Sequence, residues 1–117
     1  MYNNNMDDIR ERIKSNEIDK TVNVEKQNRH IRGSREYVEG RSYLLDGVDA
    51  QGLVNQYHGT GVPELSWDGS WTSREFVVAD RNIGVSVNAI TREETPINRF
   101  KIHYSKTGTH VVPTLRE

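Results

Sequence analysis

The chain has 117 residues, enough for one domain and too few for two of ordinary size. Hydrophobic residues make up 33% and charged residues 28%, so the core is modest and part of the chain is expected to be a solvated extension. A net charge of −1 provides no overall positive field, and the lack of cysteine excludes disulfides, thiolate catalysis and cysteine-based zinc sites.

Residues 1–5 are a polar lead without a structural signal. Met6 to Glu17 reads as a helix, with Met6, Ile9 and Ile13 forming a narrow apolar stripe and Asp7 and Asp8 in the first turn. The rest of that helix is charged, which suits a loose cap or a tether, so residues 1–21 are assigned to an extension and 22–117 to the domain. Thr21 to Val24 alternates as a short strand. Gly33-Ser34 and Gly40 mark turns, and Ser42 to Leu45 is a short apolar run. Asp46 and Asp49 are candidate caps for a helix carrying Leu53, Val54 and Tyr57 and ending at Gly59 or Gly61. Val62 to Ser73 reads as a loop with an Asp68-Gly69 turn, and Trp67 and Trp71 are expected to cover the core edge. Arg74 to Asp80 and Ile83 to Asn88 read as one antiparallel hairpin, with Asp80 to Asn82 connecting them. Arg99 to Lys106 and Thr109 to Thr114 read as a second hairpin around Thr107-Gly108. Helices followed by an antiparallel meander of about four strands define an α+β fold.

Alternation in the last hairpin separates two faces. Phe100, Ile102 and Tyr104 point to the core. Lys101, His103 and Ser105 point away from it. A two-residue turn at Thr107-Gly108 pairs Ser105 with His110 and His103 with Val112, and puts His110 on the polar face. A longer loop shifts this register. Imidazoles suit proton transfer near neutral pH, and a cation suits the charge that builds on a phosphorane. A hydroxyl completes the parts for metal-free RNA cleavage. The same residues equally describe the solvated face of an antiparallel sheet. His30, His58, His103 and His110 lack the spacing of a metal site, so no metal or other cofactor is expected. Gly59-Thr60-Gly61 follows a helix, which makes it a poor phosphate loop.

Three blocks carry a resemblance. They are Lys26-Gln27-x-Arg29-His30-Ile31-x-Gly33, then Gly40-Arg41-Ser42 with Gly59-Thr60-Gly61, and Ile102-His103-Tyr104-Ser105-Lys106-x-Gly108-Thr109-His110-Val111-Val112-Pro113. Together they resemble the bacterial toxin 50 family, also called polymorphic toxin type 50, from about Val22 to the end. Such domains sit at the C-termini of bacterial polymorphic toxins and of phage head-morphogenesis proteins. The resemblance implies a ribonuclease fold of the barnase, EndoU, colicin and RelE group, with helices packed on a four-strand antiparallel sheet and the site on its exposed face. It implies His30, His103, His110 and Ser105 as catalytic residues, with His30 reaching the sheet from the helical side. Lys26, Arg41, Ser42, Lys101, Lys106 and Thr109 become substrate-binding candidates. Arg99, Lys101, Lys106 and Arg116 form a basic group near that face.

Two functions follow. One is an endoribonuclease effector that forms a 2′,3′-cyclic phosphate on an RNA substrate. It implies an acidic cognate immunity protein, and a toxin delivery domain or phage capsid as a further partner. The other is a non-enzymatic phage module that binds protein or nucleic acid through the same fold. No apolar run approaches the ~20 residues that span a bilayer, so no membrane partner is expected. Met1 to Arg10 lacks a signal-peptide pattern, which fits a delivered effector in the cytoplasm of a target cell, or a phage or prophage product.

Overall fold

The computed structural model describes residues 2–115. Three helices are present: α1 (Tyr2–Lys14), α2 (Val24–Asn28) and α3 (Ala50–Tyr57). The strands are β1 (Tyr43–Leu44), β2 (Val62–Leu65), β3 (Trp71–Val78), β4 (Gly84–Val87), β5 (Glu94–Ile97), β6 (Arg99–His103) and β7 (His110–Pro113). They form two antiparallel sheets, one of four strands in the order β2-β3-β6-β7 and one of three in the order β1-β4-β5. The fold is therefore α+β, with one sheet more than the sequence suggested. No helix among the described residues is long and apolar enough to cross a membrane.

The core lies on one face of the larger sheet. Val77, Phe100, Ile102 and Val111 project into it, and Ile9 and Ile13 of α1 join Leu53 and Val54 of α3 in the same cluster. The helix predicted from Met6 to Glu17 lies four residues earlier at its start and three at its end, at Tyr2–Lys14. Asp49 caps α3, its carboxylate accepting from the Gln51 N–H at 3.2 Å. The strand expected over Thr21 to Val24 is reduced to a single parallel bridge between Val22 and Thr109. Asn23 instead caps the short helix α2, accepting from the Lys26 N–H at 3.0 Å. Five residues carry too little periodicity to announce a helix.

The first expected hairpin is not formed. β3 and β4 belong to different sheets, and Asp80 to Asn82 is not its turn. Val78 faces Arg99 while Gly84 faces Ile97, so residues 79–83 on one arm oppose Asn98 alone on the other. Asn98 holds this corner through its Nδ2, which donates to the Ala79 carbonyl at 3.0 Å. The arms turn instead at Asn88, whose side chain accepts from the Ile90 and Thr91 N–H groups. Bulge residues such as Asp80, Arg81 and Asn82 share their composition with turns, which explains the error. The sequence reads β2 as loop because of Pro63, and assigns no element to β5, which contains Pro96. Both strands lie at sheet edges, where proline is tolerated. The Asp68-Gly69 turn does join β2 to β3, but Trp67 at its tip is 98% exposed and covers no core. Trp71 packs against the core as expected.

One polar residue sits deep in this core. Glu75 of β3 has no exposed surface. Its carboxylate accepts from the Gly59 N–H at 3.1 Å, the Gly61 N–H at 2.7 Å and the Tyr104 hydroxyl at 2.6 Å. The Gly-Thr-Gly segment therefore does bind an anion, and the anion is this side chain. Gly61 must be glycine, because a Cβ there meets the Phe76 carbonyl oxygen at 2.1 Å. Burial, then the Glu75 charge and its hydrogen bond, push the Tyr104 phenol up. Glu75→Ala leaves three donors unpaired, those of Gly59 and Tyr104 buried and that of Gly61 partly so. It is expected to cost on the order of 3–5 kcal/mol, a large share of the 5–15 kcal/mol typical of a domain. Urea denaturation of the purified variant measures this directly.

Candidate functional site

The outer face of the large sheet follows from the same alternation that turns Glu75 inward. Arg74 pairs across the sheet with His103, and His103 pairs with His110. One row of the exposed face therefore reads Arg74, His103, His110 across β3, β6 and β7. The His103 and His110 ring centroids are 4.8 Å apart. Sequence reading paired His103 with Val112. The loop between the strands runs longer than two residues, and the register moves by two positions. A shift of two preserves the face of every side chain, so the histidines stay together and become direct neighbours.

His30 arrives from the segment after α2. Gln27 holds that segment against the edge of β7. Its Nε2 donates to the Val111 carbonyl at 2.9 Å, and its Oε1 accepts from the Val111 N–H at 2.6 Å. A side-chain amide thus replaces the next strand of the sheet. The clamp brings the buried His30 ring to 6.2 Å from His110, nearly parallel to it. His30 Nδ1 donates to the Ser42 carbonyl at 2.9 Å. A carbonyl can only accept, so neutral His30 carries its proton on Nδ1 and keeps the Nε2 lone pair. Neither His103 nor His110 hydrogen-bonds through its ring to another described residue.

The other candidates divide. Lys26 Nζ donates to the Ser105 hydroxyl at 3.0 Å and to the Thr107 hydroxyl at 2.7 Å. Ser105 lies beyond the end of β6, in the loop, where its hydroxyl also donates to the Gly108 carbonyl. Ser42 meets the site through its carbonyl on His30. Arg41 is exposed and close enough to act on His30. Lys101 shares the face one row away and is ion-paired with Glu64. Thr109 is buried, its hydroxyl donating to the His103 carbonyl at 2.6 Å, so it shapes the loop and does not line the face. Lys106 is exposed and borders a separate cleft. Arg116 lies outside the described residues. His58 ends α3, with Nδ1 donating to the Val54 carbonyl.

Sequence reading missed two cations. Arg74 acts on both His103 and His110, and Arg29 on His30 and His110. Arg74 could have been found by alternation from Glu75, but the consecutive apolar pair Phe76-Val77 hid which face was which. Among the described residues, Lys26, Arg29, Arg41 and Arg74 make no ion pair with a carboxylate. The group therefore presents positive charge around three imidazoles. Its electrostatics follow. Burial first, then His110, Arg74, His30 and Lys101, lower the His103 pKa to about 3. Burial first, then His30, Lys26, Arg29 and Arg74, lower His110 to about 4. Burial also lowers His30, against the Ser42 hydrogen bond that raises it. At neutral pH the three rings are neutral. They can accept protons, and the cations around them can hold an anion. No group of three His, Asp or Glu side chains among the described residues is arranged to hold a metal ion.

Residues 22–113 match the family described as Bacterial toxin 50. No curated protein matches the chain.

Lowered histidine pKa values also make stability depend on pH. Unfolded histidine titrates near 6.5, whereas His103 and His110 titrate near 3 and 4 when folded. As pH falls below 6.5 the unfolded chain gains protons that the folded chain does not, so stability falls. The melting temperature is expected to drop between about pH 7 and pH 5. The drop should shrink in His103→Asn, as read by thermal denaturation followed by circular dichroism.

Proposed function

The chain belongs to the bacterial toxin 50 family, and we propose that it is a toxin effector domain acting as an endoribonuclease. One observation carries this reading: three neutral imidazoles lie together among cations that lack carboxylate partners. A phosphodiester supplies the missing negative charge, and RNA supplies a nucleophile beside it. One imidazole takes the proton of the ribose 2′-hydroxyl as the 2′ oxygen bonds to phosphorus. The bond from phosphorus to the 5′ oxygen breaks, and a second, protonated imidazole gives that oxygen its proton. The products are a 2′,3′-cyclic phosphate and a 5′-hydroxyl, with one imidazole charged and the other neutral at the end. Lys26 and Arg74 stabilise the charge that grows on the phosphorane oxygens. Every group used is a side chain, so the proposed steps invoke no metal.

The acid has to be charged before it can act. In the free protein burial first, and then the surrounding cations, oppose this. A bound phosphodiester offsets them and raises the pKa of the nearest imidazole, so substrate and proton bind together. The layout of helices on one sheet face and a titratable cluster on the other supports the barnase, EndoU, colicin and RelE group as the fold relatives. The reading places the protein's work in the cytoplasm of a target cell, delivered by a fused domain or a phage particle. It also calls for an acidic immunity protein that covers the cationic face.

His110→Ala should abolish RNA cleavage and growth arrest in an inducible expression strain while leaving the circular dichroism spectrum unchanged. Intact RNA and normal growth from a folded wild type defeat the proposal. Arg74→Ala should lower the cleavage rate by about a hundredfold. Affinity for an uncleavable 2′-deoxy analogue should weaken as pH rises from about 5 to 7, with proton uptake visible by calorimetry in buffers of different ionisation enthalpy.

A further inference from the structure

A second concave feature lies at the end of the large sheet, where Trp71 and Tyr104 pack on its core side. A cleft of about 700 Å³ opens beyond the ends of β3 and β6, between them and the segment after α1. That volume lies in the range of sites that take a small organic ligand, roughly 300–1,000 Å³. Its wall holds Trp71, Tyr104, Ser73, Ser105, Lys106 and Arg12. Trp71 and Tyr104 are in ring contact at 6.0 Å, and the Arg12 guanidinium lies over the indole at 5.6 Å. Tyr104 is only 5% exposed and backs the indole, whereas Trp71 is partly exposed beside the Arg12 guanidinium, and an indole so placed is a surface on which a nucleobase can stack.

The cleft is joined to the histidine site by covalent and hydrogen-bonded links. Ser73 on its wall precedes Arg74, the residue opposite His103. Trp71 Nε1 donates to the Arg74 carbonyl at 2.9 Å, which fixes the indole relative to that arginine. Ser105, also on the wall, shares the Lys26 ammonium. Ser73 itself has a φ of 68°, a left-handed conformation that is costly for a residue with a side chain. Its carbonyl is held by the Tyr104 N–H at 2.8 Å, so the bend that opens the cleft is built into the β3-β6 pair. Glu17 and Asp19 also line this space. Carboxylates disfavour a phosphate there and accept from the N–H edge of a base.

We propose that this cleft binds the nucleobase next to the phosphate held by Arg74, Lys26 and the three histidines. The proposal rests on the phosphodiester reading of the histidine face and adds a subsite to it. It assigns Lys106 to this subsite instead of to the reacting phosphate. It also gives the segment from Arg12 to Asp19, outside the family match at 22–113, a part in choosing substrate.

The test uses a 2′-O-methyl trinucleotide, which cannot form the cyclic phosphate, and inorganic phosphate as the base-free probe. Trp71→Ala should weaken trinucleotide binding about tenfold and leave phosphate binding unchanged. Arg74→Ala should weaken both. Lys106→Glu, an exposed change that leaves the core alone, should weaken trinucleotide binding only, and guards against a folding defect in Trp71→Ala. In the wild type, the trinucleotide should shift the Trp71 indole signal in NMR spectra, and phosphate should not. If Lys106→Glu and Trp71→Ala bind the trinucleotide as wild type does, the subsite is refuted, even where His110→Ala still abolishes cleavage. If the trinucleotide shifts Trp71 but Arg74→Ala has no effect, the link to the histidine face is refuted. A wild type that cleaves RNA yet shows no Trp71 shift refutes the subsite alone.

Discussion

The carboxylate of Glu75 is the contact around which the large sheet is organised. It is fully buried, and each of its donors comes from a different part of the chain: the end of α3, the start of β2 and the end of β6. A buried carboxylate is tolerable only when such donors surround it. Satisfying it therefore fixes how β3 sits between its neighbours. Because strand side chains alternate, placing Glu75 inward sends Arg74 outward, into line with His103 and His110. The arginine on the exposed face is thus placed by an acid on the hidden one. Gly61 belongs to the same arrangement, since β2 can reach the carboxylate only by passing against the Phe76 carbonyl.

The exposed face runs against stability. Three imidazoles and several cations share a small area, and the nearby Glu64 is ion-paired with Lys101 and acts only at longer range on Arg74. Like charges gathered this way raise the energy of the folded state. Burial first, and then these charges, keep the imidazoles neutral and ready as proton acceptors. The arrangement persists because backbone pairing holds His103 and His110, and Gln27 holds the segment that bears His30. On the proposed function, an arriving phosphate relieves the repulsion, so the electrostatic cost of gathering these cations becomes affinity for an anion.

Much of this was legible in the sequence, for identifiable reasons. The last hairpin was readable because Phe100, Ile102 and Tyr104 alternate cleanly with Lys101 and His103. Its register was not, because loop length depends on hydrogen bonds such as that of Thr109 to the His103 carbonyl, which no local pattern announces. The bulge at residues 79–83 passed for a turn, and so the second sheet was missed. Val62 to Ser73 reads as loop because Pro63 and Asp68-Gly69 outweigh the signal of a short edge strand. In the site, the histidines came from composition and resemblance. Arg74 and Arg29 did not stand out, because a cation is remarkable only when its carboxylate partner is missing, and that is a property of three dimensions.

The clamp between Gln27 and Val111 joins residues 84 positions apart. Both of its bonds go to the last strand of the fold. A chain emerging from the ribosome can form its helices and most of its large sheet before that strand is available, but His30 has nothing to stack on until it is. The histidine cluster therefore forms only after β7 has been made. A chain stopped short of β7 lacks both His110 and the Val111 edge that holds the His30 segment, so His103 and His30 are left without the ring that stands between them.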